Sequence, residues 1–171
     1  MSEVSVLFVC LGNICRSPTA EGIFRHLARQ RRLDDHLVID SAGTGGWHAG
    51  EPADPRTLAA ARRRGIAWDH RARQVRTADF ARFDLLVAMD RKNMSDLLDA
   101  APDEAARAKV VLLRSFDPAS RPGDDLDVPD PYFGGDEGFE RVLDLCERAC
   151  AGLLDTLVRE RGLGASGAPR S

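Results

Sequence analysis

The sequence predicts one α/β domain, a four-stranded parallel sheet with helices on both faces. Short β-branched apolar runs alternate with helical periodicities, which is the pattern of a parallel sheet. The runs are nearly continuous rather than alternating, as in strands buried on both sides. No linker or internal repeat divides the 171 residues, a length that suits one hydrophobic core.

Val4–Cys10 is the first such run and reads as a strand. A loop through Arg16 follows, and from Ser17 the pattern turns helical. Ser17 can cap, Pro18 suits the first turn, Glu21 favours the positive end, and Ile23, Phe24, Leu27 and Ala28 recur at helical spacing. Leu37, Val38 and Ile39 form a second strand that ends in a glycine-rich flexible loop over 40–46. Asp54 and Pro55 open another helix, which Gly65 stops. A short helix starts over 77–80, the third strand spans 85–89 and the fourth 110–113. A proline-rich acidic loop covers about 117–135, and the last helix about 136–161. Residues 162–171 read as a frayed tail, so the domain is expected to occupy 1–161. This order of elements is flavodoxin-like.

The net charge of −3 gives no electrostatic reason to expect a nucleic-acid partner. Arginine-rich stretches at 29–32 and 62–64 read as solvated helix faces. No apolar run approaches the ~20 residues that span a bilayer, so no membrane association is expected. The N-terminus enters a strand without a signal-like segment, which points to the cytoplasm and to reduced thiols for the four cysteines. Oligomeric state is not legible.

The loop after the first strand concentrates the chemistry. In open α/β sheets, ligands bind outside the carboxyl ends of the strands. Residues 10–17, Cys-Leu-Gly-Asn-Ile-Cys-Arg-Ser, occupy such an end and feed into a helix, whose first amides and dipole favour an anion. Gly12 lets the backbone approach an oxyanion, and Asn13 tolerates a left-handed conformation. A helix N-terminus and a neighbouring arginine favour a thiolate, so Cys10 is expected to be a nucleophile. Arg16 can fork two hydrogen bonds onto a phosphate, and Ser17 can donate its hydroxyl to the sulfur. The bland alternative is a buried thiol at a strand end. A general acid for such chemistry is expected on the acidic loop, where Asp117, Asp124, Asp125, Asp127 and Asp130 all qualify on chemistry alone.

Over residues 4–157 the chain resembles the low-molecular-weight protein tyrosine phosphatases. The resemblance rests on the loop 10–18, on 40–44 (Asp-Ser-Ala-Gly-Thr), on 72–74 (Ala-Arg-Gln), on 89–93 (Met-Asp-Arg-Lys-Asn) and on 130–134 (Asp-Pro-Tyr-Phe-Gly). It implies hydrolysis of phosphotyrosine through a phosphocysteine on Cys10, with Arg16 binding phosphate and Asp130 as general acid, then base. Leu11, Gly12, Asn13, Ile14, Cys15 and Ser17 would form the phosphate loop. Ser41 and His70 would brace it and Asp90 would stand behind it. Trp47, Tyr132, Phe133 and Leu11 would wall a slot for an aryl phosphate, though Trp47 alternatively packs on its own domain. Cys15 either traps oxidised Cys10 as a disulfide or is a packing residue. The implied partners are phosphotyrosine-containing proteins, with no metal or other cofactor.

Cys146 and Cys150 lack zinc-site spacing and read as core, while His26, His36 and His48 have no partner pattern. Three rivals are an arsenate reductase of the same fold, a protein arginine phosphatase and an inactive phosphotyrosine-binding module. The first would need further cysteines within 72–103, where there are none. The second would carry threonine at the Ile14 position. The third is disfavoured by the presence of Cys10, Arg16 and Asp130.

Overall fold

The computed structural model describes residues 3–164. Strand β1 (Val4–Cys10) runs through the middle because its two faces are both apolar. Val4, Val6, Phe8 and Cys10 join one core cluster, and Leu7 and Val9 join the other. β1 pairs in parallel with β2 (Leu37–Gly43) and with β3 (Leu85–Ala88). β4 (Val110–Leu112) pairs with β3, so the order is β2-β1-β3-β4. β2 runs past Ile39 into the segment expected to be a flexible loop. Cys10, at the end of β1, still pairs with Gly43, and Ser41 and Ala42 are buried beside it.

Helices α1 (Arg16–Gln30), α2 (Pro55–Arg62) and α6 (Asp136–Arg161) cover the first face of the sheet. Helices α3 (Thr77–Arg82), α4 (Arg91–Ala100) and α5 (Glu104–Arg107) cover the second. The sequence reading has no counterpart for α4 or α5. α4 buries Leu97 and packs the half-buried Met94 and Leu98 beside it, an i, i+3, i+4 stripe that the sequence reading passed over; its start is set by Asp90, whose Oδ1 accepts the Asn93 N–H at 2.7 Å. α1 starts one residue earlier than expected, and Ser17 does not cap it.

The arginine stretch at 62–64 does more than face solvent. Arg64 pairs with Glu140, Asp144 and Glu147 at 3.0, 2.9 and 3.2 Å, fastening the end of α2 to α6. Cys146 and Cys150 are fully buried in α6, where burial pushes the Cys146 thiol up to about 12. Gly162 ends α6 in the left-handed conformation (φ 64°), and Leu163 returns to the core at 3% exposure. The folded body therefore passes the boundary expected at 161; residues 165–171 of the expected tail lie outside the described residues. Among the described residues, no helix is long and apolar enough to cross a membrane.

α6 lies against the turn Leu113–Phe116, and Gly152 is the point of closest approach. A Cβ at Gly152 would stand 1.8 Å from the Phe116 carbonyl oxygen, which is backbone and cannot swing away. Gly152→Ala is expected to lower stability by about 2–3 kcal/mol. Urea unfolding measures this, and a midpoint equal to that of the parent would refute the contact.

Candidate active site

Strand order reverses between β1 and β3, and the loops leaving their carboxyl ends separate to open a crevice. Cys10 ends β1 at the bottom of that crevice, and Asp90 follows β3 beside it. The Asn13 N–H donates to Cys10 Sγ at 3.3 Å, and Ser17 Oγ lies 2.9 Å from the sulfur. Ser17 is thus committed to the sulfur; it lies inside the first turn of α1, past the N-cap position at Cys15, and so is not placed to cap. The left-handed residue of the loop is Asn13 (φ 58°), not Gly12. Gly12 instead answers a space limit, since a Cβ there would come within 3.1 Å of the His48 ring.

Asn13 is fully buried and every polar group on it is used. Its Nδ2 donates to Ser17 Oγ at 2.8 Å and to Ser41 Oγ at 3.0 Å. Its Oδ1 accepts the Arg73 N–H at 3.0 Å, and its carbonyl accepts from His70 Nε2 at 2.7 Å. Ser41 then donates to Glu21 Oε1 at 2.7 Å. A carboxylate only accepts and the amide NH2 only donates, so donation runs outward from Asn13, through Ser41 to Glu21 and through Ser17 to Cys10. Ser17, accepting from Asn13, is left to donate its own hydrogen to Cys10.

Glu21 was expected to act at the helix end; it is buried at 3% exposure and anchors this chain. Burial alone would raise its pKa, but the His70 ring, the Ser41 hydroxyl and Arg25 outweigh it and hold the carboxyl below its ordinary value. The spacing of Ser17 and Glu21, four apart on one helix face, was the signal available in the sequence.

Arg16 is buried, with Nη1 donating to Asp90 Oδ2 at 2.6 Å and to the Val128 carbonyl at 3.1 Å. Burial opposes its charge, yet Cys10, Asp90 and Asp130 together hold the guanidinium above its ordinary value. Asp130 stands opposite, Oδ2 being 3.7 Å from Arg16 Nη2, while its Oδ1 accepts the Tyr132 N–H at 3.0 Å. The other four acids of the loop point elsewhere. Asp117 is buried against Arg148 at 3.3 Å, and Asp124, Asp125 and Asp127 accept backbone N–H groups of Arg121, Asp127 and Arg91. Of the five, Asp130 alone lines the slot above Cys10.

That slot has a volume of about 170 Å³. Leu11, Trp47, Tyr132 and Phe133 form its walls; Trp47 is 72% and Phe133 93% exposed, so neither is a packing residue. His48 also lines it, its Nδ1 2.9 Å from Glu51 Oε2 and its ring 6.4 Å from that of Tyr132. The sequence left His48 without a role; its position next to Trp47 was the only hint. Ile14 and Cys15 line the lower part. Both loop cysteines are free thiols, and burial, then the Asp54 charge, pushes Cys15 up to about 12.

The family model for low molecular weight phosphotyrosine protein phosphatase matches residues 5–163. A low molecular weight protein-tyrosine-phosphatase of Streptomyces coelicolor is 53% identical over 156 residues, 91% of this chain and 94% of that protein. The Homo sapiens low molecular weight phosphotyrosine protein phosphatase is 43% identical over 152 residues, covering 88% and 94%. The chain belongs to the low molecular weight phosphotyrosine protein phosphatase family. A crystal structure of an Entamoeba histolytica protein tyrosine phosphatase, with Hepes in its active site, superposes with a TM-score of 0.88 at 39% identity, covering 93% and 99%.

Two further pieces of this phosphatase scaffold, built on residues that the sequence singled out, have roles at the site that it did not assign. Residues 72–74 form an extended strap: Gly43 N–H donates to the Arg73 carbonyl at 2.8 Å, and the Arg73 guanidinium binds Asp79 and Asp40. The strap carries the amide that Asn13 accepts. The second piece is Asp54 with Arg56. Asp54 N–H donates to the Ile14 carbonyl at 2.9 Å, and its carboxylate accepts from Arg56 Nη2 at 2.9 Å. Arg56 Nη2 in turn donates to the Tyr132 carbonyl at 3.0 Å. The pair ties the floor of the slot to the segment that carries Asp130.

Folded Glu21 binds its proton less tightly than in an unfolded chain. It therefore contributes stability above the ordinary carboxylate range, and loses it as pH falls through that range. Glu21→Gln is expected to cost about 2–3 kcal/mol at neutral pH, with the deficit shrinking as pH falls below the ordinary carboxylate range and through the lowered folded value. Denaturant midpoints across that range test this; a deficit independent of pH would count against the anchoring role.

Proposed function

We propose that this chain hydrolyses phosphotyrosine in proteins, and small aryl phosphates, through a phosphocysteine on Cys10. The observation that carries this reading is the opposed pair at the ends of one slot. The sulfur lies at the bottom, beneath N–H and O–H donors and Arg16, and a single carboxyl group, Asp130, lies above.

In the first step Cys10 Sγ attacks phosphorus while the tyrosyl C–O–P bond breaks on the oxygen side of phosphorus, and Asp130 gives its proton to the departing phenolic oxygen. Arg16 forks onto two phosphoryl oxygens, and the loop amides meet the remaining charge. Asp90 holds Arg16 in place at 2.6 Å. In the second step Asp130, now a carboxylate, takes a proton from water as that water attacks phosphorus. The P–S bond breaks, and the Ser17 hydroxyl, aimed at the sulfur by Asn13, stabilises the leaving thiolate. The aromatic walls accept a phenyl ring, and the depth of the slot disfavours the shorter phosphoserine side chain.

Cys10→Ser is expected to abolish turnover of p-nitrophenyl phosphate and of phosphotyrosine peptides. Retention of the parental rate would exclude Cys10 as nucleophile. Asp130→Ala is expected to lower kcat/KM about 10²-fold for esters of poorly acidic phenols and far less for p-nitrophenyl phosphate. Arg56 acts here as a positioning residue for the Asp130 segment. Arg56→Ala is expected to reproduce a milder form of the same leaving-group dependence, roughly tenfold on the poorest leaving groups. A loss of equal size across all leaving groups would mean that Arg56 serves stability only.

A further inference from the structure

Leu11 and Trp47 wall the catalytic slot on one side and a second, larger cleft of about 490 Å³ on the other. The indole of Trp47 stands directly on Gly45, where a Cβ would fall 1.9 Å from Cζ3. It is thus held as a partition between two open spaces rather than buried in either. The floor of the second cleft is apolar, built from Phe80 of α3 and Leu97 of α4. Its rim carries Arg76 and Lys92, both exposed, against one carboxylate, Asp96, which Lys92 already holds at 2.7 Å. Arg76 is therefore the rim cation that no lining carboxylate pairs. Thr44 also lines the cleft, and the Thr44 hydroxyl is buried without a hydrogen-bond partner.

We propose that this second cleft binds the polypeptide flanking the phosphotyrosine of a protein substrate. The proposal rests on the phosphatase reading above, because it is the ring in the slot that brings a polypeptide across this surface. An extended chain advances about 3.3 Å per residue, so neighbours roughly two or three positions from the phosphotyrosine pass over Leu11 and Trp47 into the cleft. A bulky apolar side chain there packs on Phe80 and Leu97, and an acidic neighbour meets Arg76 and Lys92. Leu11 and Trp47 thus serve both spaces, and selection among phosphotyrosine sites occurs outside the slot.

The test uses two phosphotyrosine peptides, one with Leu and Glu two and three residues from the phosphotyrosine on both sides, the other with Ala and Lys there. Ala100→Trp narrows the cleft and Arg76→Glu reverses its rim charge; neither residue touches the slot. The parent is expected to prefer the Leu/Glu peptide roughly tenfold in kcat/KM, and each variant to lose most of that preference. Turnover of p-nitrophenyl phosphate, which is too small to reach the cleft, stays unchanged in both variants. Fluorescence anisotropy with Cys10→Ser, alone and combined with each cleft substitution, reads the same preference as affinity. Equal handling of the two peptides by the parent, or equal losses on peptide and p-nitrophenyl phosphate in the variants, would overturn the cleft assignment. Absence of p-nitrophenyl phosphate turnover by the parent would overturn the phosphatase reading instead, and the binding measurement would still decide the cleft.

Discussion

The hydrogen bonds of Asn13 set the geometry on which the rest of the site depends. Its left-handed backbone curls the loop so that its own N–H faces the sulfur, and its side-chain amide reaches both Ser17 and Ser41. A buried amide with any of these bonds missing would leave an unpaired polar group in a low-dielectric interior, so the arrangement holds as a unit. Its direction comes from Glu21. Because Ser41 gives its hydrogen to the Glu21 carboxylate, it must accept from the Asn13 amide NH2, which thereby also donates to Ser17 and leaves the Ser17 hydrogen for Cys10.

Around this knot, strand order decides what can meet. β1 and β3 are neighbours whose connections leave in opposite directions, so the loop entering α1 and the residue capping α4 face each other across the switch point. That is how Arg16 reaches Asp90, 74 residues away in sequence. Burial would disfavour an isolated guanidinium there, and the surrounding anionic groups reverse the balance. The result is a cation held stiffly at the closed end of the slot. The upper part is different in kind. Trp47, Tyr132 and Phe133 are exposed, and they depend on local devices: the Gly45 seat, the Asp130 turn and the Arg56 tether. Rigid chemistry below and open aromatic walls above suit an enzyme that acts on one side chain of a much larger molecule.

The same division explains what could be read without coordinates. Strands β1, β3 and β4 and helices α1, α2 and α6 are each announced by patterns a few residues long. So is the loop from Cys10 to Arg16, because strand end, tight turn and helix start are local events. α4 escaped because its stripe of Met94, Leu97 and Leu98 is short, lies among charged residues and is fully buried only at Leu97. The role of Glu21 escaped because a carboxylate near a helix start has an ordinary surface explanation, and only the fold places Ser41 and His70 over it.

Sequence alone determined the fold class and the loop that sets Cys10 and Arg16 between a strand end and a helix start, since these follow from the order of residues along one strand, loop and helix. Tertiary structure decided which of five neighbouring aspartates faces that sulfur, what Trp47 does and how Asp54 and Arg56 join two loops. Those choices rest on contacts between segments that are remote in the chain. Local propensity is equal for all the competing residues, and only the packed arrangement around the switch point separates them.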